Sequence, residues 1–156
     1  MMILIRELLV FIFFAAPLGL FIHECGHVIP ALCFRSDFSL ISVGSGREIM
    51  KVRIGKLHFQ CRLILFHGAY SLNERNEKFS LRERAIISIC GPVMNAAGAA
   101  VLWMSSLVHI SFSVYLFGLF NLYLALVNLV PFRIKGKSSD GYRFIQLICK
   151  SNEDTG

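Results

Sequence analysis

Apolar and polar positions divide the chain into stretches of two kinds. Leu8 to Ile22 carries no Asp, Glu, Lys or Arg, and neither does Ala85 to Phe132. A helix rises about 1.5 Å per residue and bilayer hydrocarbon is about 30 Å thick, so about 20 apolar residues suffice to cross it. Three spans are predicted on this basis, over about 8–34, 85–109 and 112–130. Only a short turn near Ile110-Ser111 separates the last two, which form a tight antiparallel pair. Ser80-Leu81-Arg82-Glu83 has the S-x-x-E form of a capping box and places the start of the second helix just outside the membrane. Pro17 and Pro30 are expected to kink the first span, since proline lacks the N–H that the helical ladder uses. A cleaved signal peptide is the rival reading of that span. Its apolar stretch is longer than usual for one, no small-x-small site closes it, and polar residues follow in the same helical register.

Between the first two spans the period changes from helical to alternating. Val52, Ile54, Leu57, Phe59, Cys61, Leu63 and Leu65 alternate with polar residues around Gly55-Lys56, which predicts a β-hairpin. Phe38 to Val43 is a candidate further strand ahead of the glycines at 44 and 46. Residues 71–84 form a polar lead into the second span. Beyond Asp140-Gly141, the pattern Tyr142, Phe144-Ile145, Leu147-Ile148 predicts a short amphipathic helix. The expected class is therefore an α-helical membrane protein. It has a three-transmembrane-helix core, a small cytoplasmic membrane-surface β-hairpin or sheet over 38–66 and a short C-terminal helix, with residues 1–156 forming a single domain.

Composition sharpens this picture. The chain is 55% hydrophobic and only 17% charged, against about 25% charged in ordinary soluble domains. A net charge of +6 would suggest nucleic acid in a soluble protein. Here the cations flank apolar segments, which points to anionic headgroups and membrane topology and away from nucleic acid. Ten Lys and Arg lie in 35–84 and five follow residue 130, while the opposite side has only Arg6. Positive charge marks the cytoplasmic side, so a multi-pass cell-membrane protein with its amino terminus outside and its tail inside is expected. Five scattered cysteines, an odd number, read as buried structural thiols rather than a disulfide framework.

The chemistry is concentrated near the cytoplasmic end of the first span, at His23-Glu24-Cys25-Gly26-His27. Residues i and i+4 share a helix face, so in H-E-x-x-H both imidazoles can bind one Zn2+ with the glutamate beside a bound water. Incidental polar residues are the rival reading, but ionisable groups at membrane depth are costly and functional by default. Two histidines need a third protein ligand. Asp140 is a candidate, at the start of the short helix that follows the break at Asn128-Leu129-Val130-Pro131. An ordinary helix cap is the competing reading of that aspartate.

His23-Glu24-Cys25-Gly26-His27, Gly91-Pro92-Val93-Met94-Asn95 and Asn128-Leu129-Val130-Pro131 with Asp140-Gly141 together resemble the three signatures of the site-2 proteases. These are membrane-embedded zinc metalloproteases that include a sporulation-factor-processing branch. The resemblance covers roughly residues 8–148 and keeps the order of the motifs. It implies His23, His27 and Asp140 as zinc ligands and Glu24 as general base. It also implies Asn95 and Asn128 as residues beside the site, in contact with substrate or oxyanion. Hydrogen bonding between helices is the other reading of both asparagines, and close helix packing is the reading of Gly91, Ala96, Gly98 and Ala99. The interval from Asn128 to Asp140 is twelve positions, longer than the family's usual one. The inserted Arg133-Ile134-Lys135-Gly136-Lys137 reads as basic and flexible, and loop closure costs little per added residue.

The function expected is hydrolysis of peptide bonds in or near transmembrane segments by zinc-activated water. The partners implied are a membrane-associated peptide or protein substrate and the lipid bilayer. The edge of the 39–66 sheet is the expected place for an extended substrate to add as a strand. Three alternatives remain at this point: an inactive pseudoprotease or membrane-interaction protein, a membrane metalloprotease with Glu74 or Glu77 as third ligand, and, more weakly, a metal transporter. His58, His67 and His109 lack ligand spacing and read as interfacial or structural. Glu48, Glu74, Glu77 and Glu83 read as solvated charges.

Overall fold

The structure, a computed structural model, describes residues 2–104, 111–134 and 136–153. Its first element is a rod in three parts: α1 (Met2–Val10), a π-helical turn over Phe11–Ala15 and α2 (Ala16–Cys33). The widened turn ends beside Pro17, where the N–H of Ala16 bonds back to Phe11 O. Proline supplies no N–H and its ring crowds the carbonyl four residues back, and a π-bulge is one way a helix absorbs that. The helix then runs through Pro30 to Cys33. It also starts earlier than expected, at Met2, and carries Arg6 and Glu7 paired at 2.6 Å, with Glu7 accepting a hydrogen bond from Ser113 of a later helix.

Two long strands follow, β1 (Phe38–Ile54) and β2 (Leu57–Glu74), joined at Gly55-Lys56 into an antiparallel sheet. The expected hairpin is present, with Val52 opposite Phe59 and Ile54 opposite Leu57. Both strands bend at glycines of positive φ, Gly44 (87°) and Gly68 (101°). The chain therefore folds over itself, and Phe38–Val43 lies between two parts of β2. Ser39, Ile41 and Val43 face Leu57, Phe59 and Cys61 on one side and Asn73, Ser71 and Ala69 on the other. The strand expected over 38–43 thus exists as the start of β1, and the sheet extends past 66 to Glu74 because β2 turns back at Gly68. Val28 of α2 with Ile41 and Val43 forms the buried core, and Phe21 and Phe59 meet edge to face at 5.6 Å.

Helix α3 (Leu81–Met104) starts at the predicted capping box, with both reciprocal bonds formed. Glu83 N donates to Ser80 Oγ at 3.2 Å, and Ser80 N donates to Glu83 Oε2 at 2.7 Å. Glu83 is consequently not a free surface charge. Arg75 also holds it, at 3.0 Å. Helix α4 (Phe112–Leu129) is capped by Ser111 and matches the third predicted span. The predicted end of the second span, with His109 and Ile110, lies outside the described residues. Among the described residues, three helices are long and apolar enough to cross a membrane: Met2–Cys33, Leu81–Met104 and Phe112–Leu129.

The basic stretch after Pro131 holds a short pair of strands. Strands β3 (Arg133–Ile134) and β4 (Lys137–Ser138) pair antiparallel ahead of the last helix. Helix α5 (Asp140–Glu153) follows and packs on α3. All five cysteines are free thiols, but Cys33 and Cys149 are exposed and the other three are half-buried, so the buried reading fails. His58 packs on Phe38 and His67 bonds Ser45, both within the sheet.

Candidate metal centre

His23 and His27 stand one turn apart on α2 and face α3. His27 Nδ1 lies 2.7 Å from Ile87 O, a carbonyl that can only accept, so the proton sits on Nδ1. His23 Nδ1 lies 2.6 Å from Asn95 Oδ1. The direction of that bond is set by the other end of the amide. Asn95 Nδ2 donates to Gly19 O at 3.0 Å and to Asn121 Oδ1 at 2.8 Å, leaving Oδ1 as the acceptor for His23. With Nδ1 so engaged on each ring, both imidazoles turn Nε2 to the same point.

Asp140 arrives there from α5. It is the first residue of that helix but not its cap, which is Ser139. Ser139 Oγ accepts from Tyr142 N at 3.2 Å and from Phe132 N at 3.1 Å and donates to Val130 O at 2.7 Å, closing the loop after α4. Ser88 Oγ of α3 donates to the Asp140 carbonyl at 3.1 Å. The Asp140 Oδ2 atom is 3.1 Å from His23 Nε2 and 3.4 Å from His27 Nε2, and the two Nε2 atoms are 3.2 Å apart.

Three atoms that can each donate an electron pair stand in mutual contact, an arrangement that a single shared cation satisfies. Ligands about 2.0–2.1 Å from a tetrahedral Zn2+ stand about 3.3 Å apart, which is the spacing seen here. The orienting bonds on both Nδ1 atoms are the partners that metal-bound histidines usually have. The residues present therefore fit a zinc ion. Among the described residues they are the one cluster of His, Cys, Asp and Glu with this geometry, and neither Glu74 nor Glu77 belongs to it.

Glycines make the approach possible. A methyl at Gly91 would overlap the His27 ring and come within 3.0 Å of His23 Nε2. One at Gly26 would come within 2.7 Å of the Gly91 Cα, and one at Gly141 within 2.7 Å of the Leu129 carbonyl carbon. Gly26 and Gly141 thus mark backbone contacts that set the depth of α2 and α5, and Gly91 makes room for the two imidazoles. Ala99 is buried, as a close-packing residue should be, whereas Gly98 has ordinary room.

The centre opens into a cavity of about 1440 Å³. Glu24, 7% exposed, lines it beside the histidines, and so does Asn128. Asn128 Nδ2 is tied to Leu124 O at 2.9 Å. Asn95 is not among the lining residues. It is fully buried behind His23 with its amide saturated. The cavity's far wall includes Ala69–Ser71, Asn73 and Glu74 of β2, which pair with β1 along one edge only. The strand edge that borders the site is thus 69–74, and no residue of Val52–Phe66 lines it, contrary to the expectation for 39–66. Asp37 sits on the rim, where the backbone N–H of Asn76 at 2.9 Å and Lys56 hold its carboxyl below the ordinary range.

Sequence reasoning missed Ser88, Ser139 and Asn121. The last had a legible signal, since Asn121 precedes Asn128 by two helical turns and is polar in an apolar span. A search of curated proteins gives no match. Residues 11–111, well over half of the chain, match the family model of peptidase family M50. That segment contains the motifs at His23–His27 and Gly91–Asn95 and ends before Asp140. The chain belongs to peptidase family M50, the site-2 protease family that its motifs resemble.

Proposed function

We propose that this protein is a membrane-embedded zinc endopeptidase that cleaves peptide bonds in or near transmembrane segments. The observation that carries the proposal is the convergence of His23 Nε2, His27 Nε2 and Asp140 Oδ2 beside Glu24 in an open cavity. Those three would hold the zinc, which when bound supplies a Lewis acid that polarises the scissile carbonyl and acidifies water. Glu24 accepts the proton of the attacking water and returns it to the leaving amine. Asn95 orients His23, and Asn128 stands at the cavity wall as the residue nearest in kind to a substrate contact.

Large apolar side chains on the outside of the rods, such as Leu4, Phe14, Val101 and Phe112, support embedding in lipid. The excess of Lys and Arg on the 35–84 and C-terminal segments supports a cytoplasmic site with the amino terminus outside. We take residues 1–156 as one domain, because α5 supplies Asp140 to histidines on α2. Helical peptide bonds are shielded by their own hydrogen bonds, so a substrate must be extended to react. The unpaired edge of Ala69–Glu74 suits an extended segment by strand addition.

The test is cleavage of a panel of single-span substrates in membranes by the wild type and Glu24→Gln, with zinc measured in both. Removing a general base costs about 10²–10⁴ in rate, so Glu24→Gln should retain zinc and lose cleavage by that factor. Equal cleavage by the two proteins would sink the proposal.

A further inference from the structure

We infer that Asn121, midway along α4, is a positioning residue for the centre. It holds Asn95, and through Asn95 it holds His23 in the tautomer that presents Nε2 to the ion. The inference rests on the His23–His27–Asp140 reading. Asn121 and Asn95 are both 0% exposed. The Asn121 Nδ2 donates to Phe117 O at 2.9 Å, which turns its Oδ1 towards α3. There it accepts from Asn95 Nδ2 at 2.8 Å, while the second Asn95 N–H goes to Gly19 O at 3.0 Å. Asn95 Oδ1 then accepts from His23 Nδ1 at 2.6 Å. The chain of bonds crosses three helices. Its direction is fixed by two backbone carbonyls, Phe117 O and Gly19 O, neither of which can donate.

Remove the Asn121 oxygen and one Asn95 N–H is left unpaired in a dry interior, a costly state. The amide recovers a partner only by rotating, and its rotation takes the acceptor away from His23 Nδ1. A residue that merely glued α3 to α4 would have no effect on the protonation pattern of a histidine on α2.

The experiment uses the full chain, labelled with ¹⁵N-histidine. Ring-nitrogen shifts in the metal-free protein report which His23 nitrogen carries the proton, and competition with a chelator gives the zinc affinity. The wild type is expected to show the Nδ1–H form of His23. Asn121→Leu should show a mixture of tautomers and about tenfold weaker zinc binding, the low end of the loss for outer partners of metal ligands. Asn121→Asp should restore both properties, because a neutral acid there offers one oxygen to Asn95 and one O–H to Phe117 O. An Asn121→Leu protein with the wild-type tautomer and affinity overturns the inference, as does failure of Asn121→Asp to rescue. Should the leucine variant not fold, Asn121→Ala gives the same readout. A tautomer that depends on Asn121 in a wild type that binds no zinc would uphold the positioning relation and refute the metal reading instead.

Discussion

Gly91→Ala perturbs the centre with a single methyl group. The new Cβ would overlap His27 at Nε2 and Cε1 and press on His23 Nε2 from 3.0 Å. The His27 ring has little freedom to yield, since its Nδ1 is tied to Ile87 O at 2.7 Å. Helix α3 cannot simply retreat either. Its backbone touches α2 at Gly26, and a shift would withdraw both Ile87 O and Asn95 from the histidines they orient. The ring or the helix must move by on the order of 1 Å, a misplacement that costs about 10²-fold in rate. Disturbing a ligand's outer partner costs about 10–100-fold in metal affinity. Overpacking itself costs about 1–3 kcal/mol, so the protein should remain folded. Gly98→Ala is the matched control, because its Cβ would meet Asn121 Oδ1 at an ordinary 3.7 Å. Alanine also favours a helix over glycine by about 0.8–1.0 kcal/mol. Zinc affinity by chelator competition and cleavage in membranes should fall sharply for the first variant and stay level for the second. Wild-type zinc affinity and cleavage in Gly91→Ala would refute the claim that this glycine makes room for the ligand.

Other expectations concern the rim and the β2 edge. The Asp37 carboxyl titrates lower in the folded protein than in the unfolded chain, because Asn76 N–H and Lys56 favour its charged form. Its contribution to stability is therefore full above the ordinary carboxylate value and disappears as pH falls through the lower, folded one. Thermal unfolding of wild type and Asp37→Asn should differ near neutral pH and converge in acid. Parallel curves would remove Asp37 from the account. For strand addition at Ala69–Glu74, N-methylating alternate amides of a peptide substrate should weaken binding several-fold in one register and little in the other, since each hydrogen bond is worth about 0.5–1.5 kcal/mol. Equal effects in both registers would exclude that edge.

Much of this arrangement is legible in the sequence because its causes are local. Charge-free runs mark the long helices, S-x-x-E marks the start of α3, and i, i+4 spacing puts His23 and His27 on one face. What escaped detection depends on distant partners. The sheet's continuation to Glu74 follows from the bend at Gly68, which pairing with Phe38–Val43 reveals and alternation does not. The hairpin at Arg133–Ser138 is made of two-residue strands, too short for any period. Ser139, not Asp140, caps α5, and adjacent residues of similar capping propensity are hard to separate by pattern alone. For Asn95 the sequence leaves hydrogen bonding between helices and substrate contact open; its bonds to Gly19 and His23 of α2 and to Asn121 of α4 are of the first kind, and only the fold reveals that one of them holds a histidine of the site.

The central claim is that His23, His27 and Asp140 hold one zinc ion, with the aspartate returning from beyond the matched segment to complete the site. The most direct measurement is the zinc content of purified wild type and Asp140→Ala, at equal protein concentration and with folding checked by circular dichroism. One zinc per chain in the wild type and its loss in a folded Asp140→Ala is the result predicted. Equal, stoichiometric zinc in both proteins would contradict it and place the third ligand elsewhere.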